Sequence, residues 1–260
     1  MDYFGFCKGI RNLNLPNLKE LDIYEGFFAE FYNRIVNEKF DIELFLNLAN
    51  VYGSNILELA CGSGRLLLPL LENGHSVTGV DLSKDMLNIL EKKCANKYMN
   101  LKLICANMIE YLSDEIYDVA ILSHGSFCLL QEEKDREILL KNTYKNLRDG
   151  GIFVFNYIDS SYKNIIAGDL KPKYFFNKSQ KSYIILTEKI WEDKSRSVIN
   201  LYGEEVSRNG EVNRYLGSTV KYLLSQPIVD KIISDSPFTK LRDYTIQIPE
   251  GLVRFELLKK

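Results

Sequence analysis

The sequence predicts an α/β protein with a mostly parallel, seven-stranded sheet that helices cover on both faces. One observation is that short apolar segments alternate with helical segments between residues 55 and 157. A second is a glycine-rich turn directly after the first of these apolar segments. A third is a change after residue 160 to long β-rich segments, which predicts an inserted antiparallel sheet. The length of 260 residues suits one large domain with an insertion.

The N-terminal part predicts helices. Apolar residues recur at near-helical spacing from Leu18 to Val36, and a second short helix fits Ile42 to Ala49. Gly53 and Ser54 then break the pattern. We therefore expect residues 1–52 to form a separate helical segment.

Residues 53–160 predict the core of the fold. The expected strands and helices alternate, and Asn73-Gly74 and Asp149-Gly150-Gly151 end two of the helices. In order they are a strand at 56–60, a helix at 65–72, a strand at 76–80, a helix at 83–97, strands at 101–105 and 117–123, a helix at 132–147 and a strand at 152–157.

Residues 161–225 predict the antiparallel insertion, and residues 226–260 complete the core sheet. The inserted strands are expected at 183–191, 197–207 and 214–224, with a hairpin signal at Asn209-Gly210. The stretch from Lys163 to Lys181 is interpreted as a solvated linker. Pro227 suits the first turn of a helix to about Ser234, and strands near 240–246 and 252–258 follow.

Composition excludes several classes of protein. The chain is 46% apolar and 26% charged, with a net charge of −2, which argues against nucleic acid as the main partner. No segment approaches the ~20 apolar residues that span a bilayer. Five cysteines without a metal-binding spacing indicate reduced thiols in a cytoplasmic protein, and with two histidines no metal site is expected.

The segment Glu58 to Arg65 carries the strongest functional signal. Gly62 and Gly64 allow a tight turn and a close approach of a ligand to the backbone, and a helix N-terminus follows. A dinucleotide-binding fingerprint would place a third glycine at Leu67, where it is absent. A simple turn between a strand and a helix remains an alternative.

Further polar residues follow the next two strands. Asp81 ends the second strand, where a carboxylate can accept both hydroxyls of a ribose. Asn107 and Met108 follow the third strand, where an amide could bond an adenine edge and a thioether could cover its face. These residues all lie at the carboxyl ends of their strands, next to the glycine turn, and together they predict a nucleoside-binding site.

The segments Glu58 to Arg65, Val80-Asp81 and Leu147 to Gly151 resemble the successive signature segments of class I S-adenosylmethionine-dependent methyltransferases. Tyr24 and Tyr32 are similar to tyrosines of a helix that, in small-molecule N- and O-methyltransferases, closes over the cofactor as a lid. The resemblance covers about Tyr24 to Tyr157, and it implies S-adenosylmethionine as cofactor and S-adenosylhomocysteine as product. Tyr24 and Tyr32 could equally be core aromatics.

The resemblance also implies roles for individual residues. Glu58 would organise the methionine amino group through a water molecule, and the tyrosines would reach the methionine carboxylate. Asp81 would take the ribose hydroxyls, and Asn107, where many relatives carry an acidic residue, would accept from the adenine amino group. The remaining residues expected to line the cofactor are Ala60, Gly62, Gly64, Leu82, Met86, Met108 and Ser123.

His124 is the candidate general base because it follows the fourth strand at the edge where ligands bind in such folds. It could instead only stabilise its loop. Methyl transfer depends mainly on alignment of acceptor, methyl group and sulfur. The acceptor pocket is expected to include aromatic residues from the core and the insertion, which could equally form a homodimer interface: Tyr157, Trp191, Tyr202 and Tyr215.

Three functions remain open at this stage. A small-molecule methyltransferase fits the resemblance best. A nucleic-acid or protein methyltransferase is less well supported, because no Asn-Pro-Pro-Tyr-type segment and no basic patch with interleaved aromatics occurs. A catalytically silent cofactor-binding scaffold is the third, and the complete glycine turn with Asp81 argues against it.

Overall fold

A computed structural model describes residues 2–95, 97–160, 168–191, 195–248 and 251–260. The chain divides into two compact units. We call Asn33–Ile165 with Leu223–Lys260 the core unit, and Met1–Tyr32 with Ile166–Tyr222 the insertion unit.

The elements are numbered in chain order. The helices are α1 (Gly5–Asn12), α2 (Gly26–Ile35), α3 (Ile42–Tyr52), α4 (Leu67–Glu72), α5 (Lys84–Cys94), α6 (Glu133–Asn146) and α7 (Gln226–Ser234). The strands are β1 (Leu18–Leu21), β2 (Asn55–Leu59), β3 (Ser76–Asp81), β4 (Leu101–Cys105), β5 (Tyr117–Leu122), β6 (Leu147–Ile158), β7 (Gly168–Asp169), β8 (Lys173–Asn177), β9 (Ser182–Ile190), β10 (Arg196–Val206), β11 (Val212–Tyr222), β12 (Thr239–Ile248) and β13 (Gly251–Lys259).

The core unit contains a seven-stranded sheet in the order β12-β13-β6-β5-β2-β3-β4. Strands β2 to β6 are parallel, and β13 runs antiparallel to β6 and β12. The predicted α/β fold with a mostly parallel sheet is confirmed. Because the chain leaves β2 first toward β3 and later returns on the β5 side, the carboxyl end of β2 is a topological switch point, where such sheets bind ligands.

Helices bury both faces of this sheet, and its central strands β2, β3 and β5 are mostly apolar and buried. On one face, the core includes Phe45 of α3, Leu70 of α4 and Leu90 of α5. On the other face it includes Leu139 of α6 and Ile232 of α7. Within the described ranges, no helix is long and apolar enough to cross a membrane.

The insertion unit is a second sheet in the order β1-β11-β10-β9-β7, with β8 also paired to β9. Cys7 of α1 packs on one face, and Phe28 of α2 packs on the other. The three long inserted strands were predicted and are confirmed as β9, β10 and β11, which pair antiparallel.

Two expectations for this unit are wrong. Leu18–Leu21 is a strand parallel to β11, although its spacing predicted the start of a helix, because backbone pairing with Arg214–Gly217 overrides the local pattern. Within the described part of the Lys163 to Lys181 stretch, Lys173–Asn177 is a strand on β9 and not a solvated linker. Residues 161–167 lie outside the described ranges.

Candidate active site

The glycine turn connects β2 to α4 at the carboxyl edge of the core sheet. Its backbone is left-handed at three alternate positions, with φ of 52° at Ala60, 53° at Gly62 and 86° at Gly64. A Cβ atom built on Gly62 meets no described atom within 4 Å, so this position borders open space. The turn therefore leaves room for a ligand against the backbone of Gly62.

Gly64 has a different structural role. A Cβ atom on Gly64 would lie 2.4 Å from Leu90 Cδ1, a buried side chain of α5. The glycine thus allows α5 to pack closely against the turn. A side chain at Gly64 would disturb folding before it could obstruct a ligand, whereas a side chain at Gly62 meets only the open space.

Asp81, at the end of β3, forms a hydrogen bond to the glycine turn. Its Oδ2 accepts the Gly62 N–H at 2.7 Å and its Oδ1 accepts the Ser83 N–H at 2.8 Å. Burial raises the pKa of Asp81, and the backbone N–H donors oppose that effect. Each carboxylate oxygen has a further lone pair, so Asp81 can still accept hydrogen bonds from a bound hydroxyl pair.

Glu58 lies at the end of β2 and is fully buried, with 1% of its surface exposed. Burial raises its pKa to about 8, while Arg65 lowers it and Asp41 and Asp81 raise it further. Its Oε2 has no hydrogen-bond partner among the described residues. A buried carboxyl oxygen without a partner is costly, and it marks a position where a cationic donor would be strongly stabilised.

Arg65 and Asp41 were not assigned a role from the sequence. Arg65 Nη1 lies 2.5 Å from Asp41 Oδ1 and Nη2 lies 2.8 Å from Oδ2, so the pair is bidentate. Arg65 also donates to the Glu38 carbonyl at 2.9 Å and lies 3.5 Å from Ser123 Oγ. The available signals were an arginine directly after the glycine turn, before an apolar helix, and an acidic residue at the start of α3.

The residues expected around the adenine differ in exposure. Leu82 exposes 72% of its surface, whereas Met86 exposes only 1%. Asn107 Oδ1 accepts the Ile109 N–H at 3.0 Å, so its amide oxygen already stabilises its own loop. Met108 packs against the apolar core on the α6 side of the sheet. Contact of these four residues with an adenine remains a prediction, for which Leu82 offers the most surface.

His124 lies two residues after the end of β5, at the same edge of the sheet. It is half-buried and has a φ of 58°, an uncommon backbone conformation for a residue with a side chain. The next residue, Gly125, donates its N–H to Oδ1 of the buried Asn156 of β6 at 2.7 Å. The imidazole is thus carried on a restrained loop, and its role as a base remains a prediction.

The aromatic residues expected at the site are divided between the two units. Tyr24 and Tyr32 lie in the insertion unit with their ring centroids 5.4 Å apart, and their contact with the cofactor remains a prediction. Two residues that were expected to line the acceptor pocket are instead buried, one in the hydrophobic core of each unit. Tyr157 is fully buried in the core unit and donates to Gln226 at 2.9 Å, and Tyr202 is buried in the insertion unit beneath α1.

Known proteins match the part of the chain that contains the glycine turn, Asp81 and His124. Residues 56–151 match a family described as "Methyltransferase domain". This segment is similar to methyltransferase domains. It contains nearly all of β2, all of β3 to β5 and the start of β6. The carboxyl ends of β2, β3, β4 and β5, where the candidate site residues lie, are therefore within the matched segment.

Relatives and solved structures agree with this assignment. The cypemycin N-terminal methyltransferase of a Streptomyces species is 29% identical over 119 residues, which are 46% of this chain and 48% of that protein. The chain spans about half the length of the first curated relatives that it matches. These similarities concern the methyltransferase domain and not the whole chain.

Two solved structures share the fold over most of the chain. An S-adenosylmethionine-dependent methyltransferase from Clostridium acetobutylicum superposes with a TM-score of 0.72 at 15% identity, covering 89% of this chain and 97% of that one. The sugar N-methyltransferase KedS8 from a Streptoalloteichus species superposes with a TM-score of 0.73 at 15% identity, covering 91% and 94%. The chain shares the fold of these two methyltransferases.

Proposed function

We propose that the protein transfers a methyl group from S-adenosylmethionine to a nitrogen or oxygen atom of a small molecule. The observation that carries this proposal is the arrangement at the end of β2. There the open backbone of Gly62 lies next to the Asp81 carboxylate, and the unpartnered Oε2 of Glu58 is buried at the same strand end. The methyltransferase domain and the shared fold support the same reaction.

The residues present fit this cofactor. The buried Oε2 of Glu58 lacks a donor within the described ranges, and an α-ammonium group would supply one. The space at Gly62 would take the ribose, which the remaining lone pairs of Asp81 would hold. Bound S-adenosylmethionine would supply a methyl group that is already activated by its positively charged sulfur.

The chain's own contribution is then mainly positioning. Aligning the acceptor with the methyl group and excluding water can supply on the order of 7–11 kcal/mol. An acceptor that must lose a proton also needs a base, and we assign that role to His124 at the end of β5. A carboxylate or a neutral amine as acceptor would need no base.

The acceptor class can be identified with a panel of compounds. Small amines, amino sugars, phenols and carboxylates would be incubated with S-adenosylmethionine, and S-adenosylhomocysteine would be measured. We expect turnover with members of one chemical class. A peptide with a free N-terminus belongs in the panel as the second candidate, because one relative is an N-terminal methyltransferase of cypemycin. Turnover of a protein or nucleic acid alone would contradict the proposal, and no turnover with any acceptor would favour a silent scaffold.

Replacement of Asp81 should weaken the binding of S-adenosylhomocysteine. For Asp81→Ala we expect a loss of roughly 1.5–3 kcal/mol, the range for hydrogen bonds to a charged group. Calorimetric titration measures the loss. The matched control is Asp118→Asn, since Asp118 also accepts a backbone N–H, from Asn55 at 3.0 Å, but at the amino end of β5. Equal affinities of the Asp81 variant and the wild type would remove Asp81 from the site.

Binding of the cofactor should depend on pH through Glu58. The pKa of Glu58 is raised to about 8, so the native protein without ligand holds a proton there that the unfolded chain releases near its usual value. This proton disfavours an ammonium ligand, and binding must therefore release it. Affinity should rise with pH, by up to about tenfold per unit between roughly pH 6 and 7.5, where an α-ammonium group is mostly still charged.

Calorimetry in two buffers of different ionisation enthalpy would count the released protons. The same linkage makes the native state without ligand less stable as pH rises from the ordinary glutamate pKa toward about 8. Glu58→Gln should abolish both dependences. An affinity that stays constant across this pH range in the wild type would show that Glu58 does not receive the ammonium group.

We also propose that the protein forms a homodimer through β8. This strand pairs with β9 on one side, and Tyr174 and Phe176 expose 60% and 77% of their surfaces. If the β8 strands of two copies pair antiparallel about Phe175, Tyr174 of each copy lies opposite Phe176 of the other copy. Lys173 of each copy then lies opposite Asn177 of the other. We expect a dimer by light scattering, and a monomer for Phe176→Lys. A wild-type monomer at micromolar concentration would contradict the proposal.

A cytoplasmic location is part of the same proposal. All five cysteines are free, which suits a reducing compartment. Fractionation of cells that produce the protein tests this.

A further inference from the structure

The buried ion pair between Asp41 and Arg65 lies beside the proposed cofactor site, yet cofactor binding as described so far does not require it. Asp41 has no exposed surface, and the Arg65 side chain exposes 12%. Burying two charges costs solvation free energy that their attraction often only balances, so a buried ion pair is weak evidence for a role in stability. Its position therefore suggests a role at the site.

Asp41 gives up a local interaction to make this pair. It occupies the N-cap position of α3, where an aspartate carboxylate normally accepts a backbone N–H of the first turn. Here the side chain makes no capping hydrogen bond, and both carboxylate oxygens are directed to Arg65. Helix α3 therefore lacks the stabilisation that such a cap provides.

Arg65 in turn connects three segments at the carboxyl edge of the core sheet. Besides Asp41 it contacts the Glu38 carbonyl, which lies before α3, and Ser123 Oγ, which follows β5. The guanidinium offers a rigid set of donors, and these contacts hold it in one orientation. Arg65 is thus fixed at the turn between β2 and α4.

Arg65 also acts on the ionisation of Glu58. Of the charged groups that influence this carboxyl group, Arg65 favours the ionised form, whereas Asp41 and Asp81 oppose it. The Cys61 thiol also lies in the electrostatic environment of Glu58 and Asp81. Glu58 is within the electrostatic influence of Arg65, and its buried Oε2 has no hydrogen-bond partner in the described part of the chain, so it would be available to an arginine released from Asp41.

We propose that Asp41 is a positioning residue of the cofactor site: it holds Arg65 away from Glu58 and so keeps Glu58 available for the ammonium group of the cofactor. This inference rests on the proposed function. Without Asp41, Arg65 would pair with Glu58 inside the chain, and the ammonium group of a ligand would have to compete with it.

The two partners of the ion pair make opposite predictions for the pH profile, and a variant that lacks both separates positioning of Arg65 from the loss of a nearby charge. In Asp41→Asn, the freed Arg65 would ionise Glu58, so the pH at which affinity for S-adenosylhomocysteine levels off should fall by about one unit. Binding should also release fewer protons and be about tenfold weaker on the plateau. In Arg65→Gln, loss of the cation should raise the levelling-off pH by a similar amount. Loss of either charge alone would also move the levelling-off pH, because Asp41 raises and Arg65 lowers the pKa of Glu58. The double variant decides between the two explanations: it should regain the plateau affinity if Asp41 acts through Arg65.

The experiment is calorimetric titration of wild type, Asp41→Asn, Arg65→Gln, the double variant of both and the control Asp118→Asn with S-adenosylhomocysteine across this pH range. Asp118 pairs with Arg148 at 2.6 Å at the opposite edge of the same sheet, and its variant should keep the wild-type pH profile. Circular dichroism checks the folding of each variant. Recovery of the plateau affinity in the double variant supports the proposal. An undiminished plateau affinity of Asp41→Asn, or a loss that persists in the double variant, overturns it. Absence of wild-type binding would instead reject the proposed function.

Discussion

Gly62→Val should abolish the binding of S-adenosylmethionine and S-adenosylhomocysteine. The new side chain would enter the open space where the ribose is proposed to lie, since no described atom lies within 4 Å of the added Cβ. We expect affinity to fall at least about a hundredfold, which is about 2.8 kcal/mol at about 1.4 kcal/mol per factor of ten. Calorimetric titration of the folded variant measures this loss. Gly62→Ala should show a smaller loss in the same direction.

A matched control separates this effect from backbone strain. Gly74 also has a left-handed backbone, with φ of 87° against 53° at Gly62, and open space around its Cβ position, but it precedes β3 at the opposite edge of the sheet. Gly74→Ala and Gly62→Ala should lower the melting temperature by comparable amounts, since both force alanine into this conformation. Only the Gly62 variant should lose affinity. Gly64 is unsuitable for this test, because a side chain there collides with Leu90.

His124→Asn should lower kcat by about 10²–10⁴ if the acceptor must lose a proton. Asparagine is suitable because it tolerates the left-handed backbone that His124 adopts, with φ of 58°. Affinity for the cofactor should stay within a few fold. The wild-type kcat should rise through a pKa between roughly 6 and 8, and the variant should lose this dependence. Saturating cofactor is required, so that the titration of Glu58 does not enter the profile.

The chain contains one other histidine, which serves as the control. His75 precedes β3 at the amino edge of the sheet and is buried, and burial lowers its pKa. His75→Asn should keep the wild-type pH dependence of kcat, whatever it does to stability. A His124 variant with most of its activity and an unchanged profile would show that His124 only stabilises its loop. The assignment as a methyltransferase would survive that result.

Much of the core unit could be predicted from the sequence because its signals are local. Each central strand is a short, mostly apolar run between turn residues, and the glycines after β2 directly indicate the turn from strand to helix. Asp81 could be placed beside that turn because the carboxyl ends of neighbouring parallel strands meet at one edge, and the hydrogen bond to Gly62 confirms this proximity.

Features that depend on distant residues could not be predicted. Strand β1 exists because it pairs with β11, nearly 200 positions later, and its own four residues alternate too weakly to indicate a strand. The pair of Asp41 and Arg65 joins the start of α3 to the glycine turn across 24 positions. Tyr157 looked like a pocket residue at a strand end, but its ring faces the helices and its hydroxyl is bound by Gln226.

Equilibrium binding of S-adenosylhomocysteine to the wild-type protein, in parallel with NAD, tests the central claim most directly. The predicted result is one ligand per chain for the adenosyl compound, release of a proton near neutral pH, and no binding of NAD, because the third glycine of a dinucleotide fingerprint is absent at Leu67. Micromolar binding of NAD without any binding of S-adenosylhomocysteine or S-adenosylmethionine would contradict the account and favour an oxidoreductase.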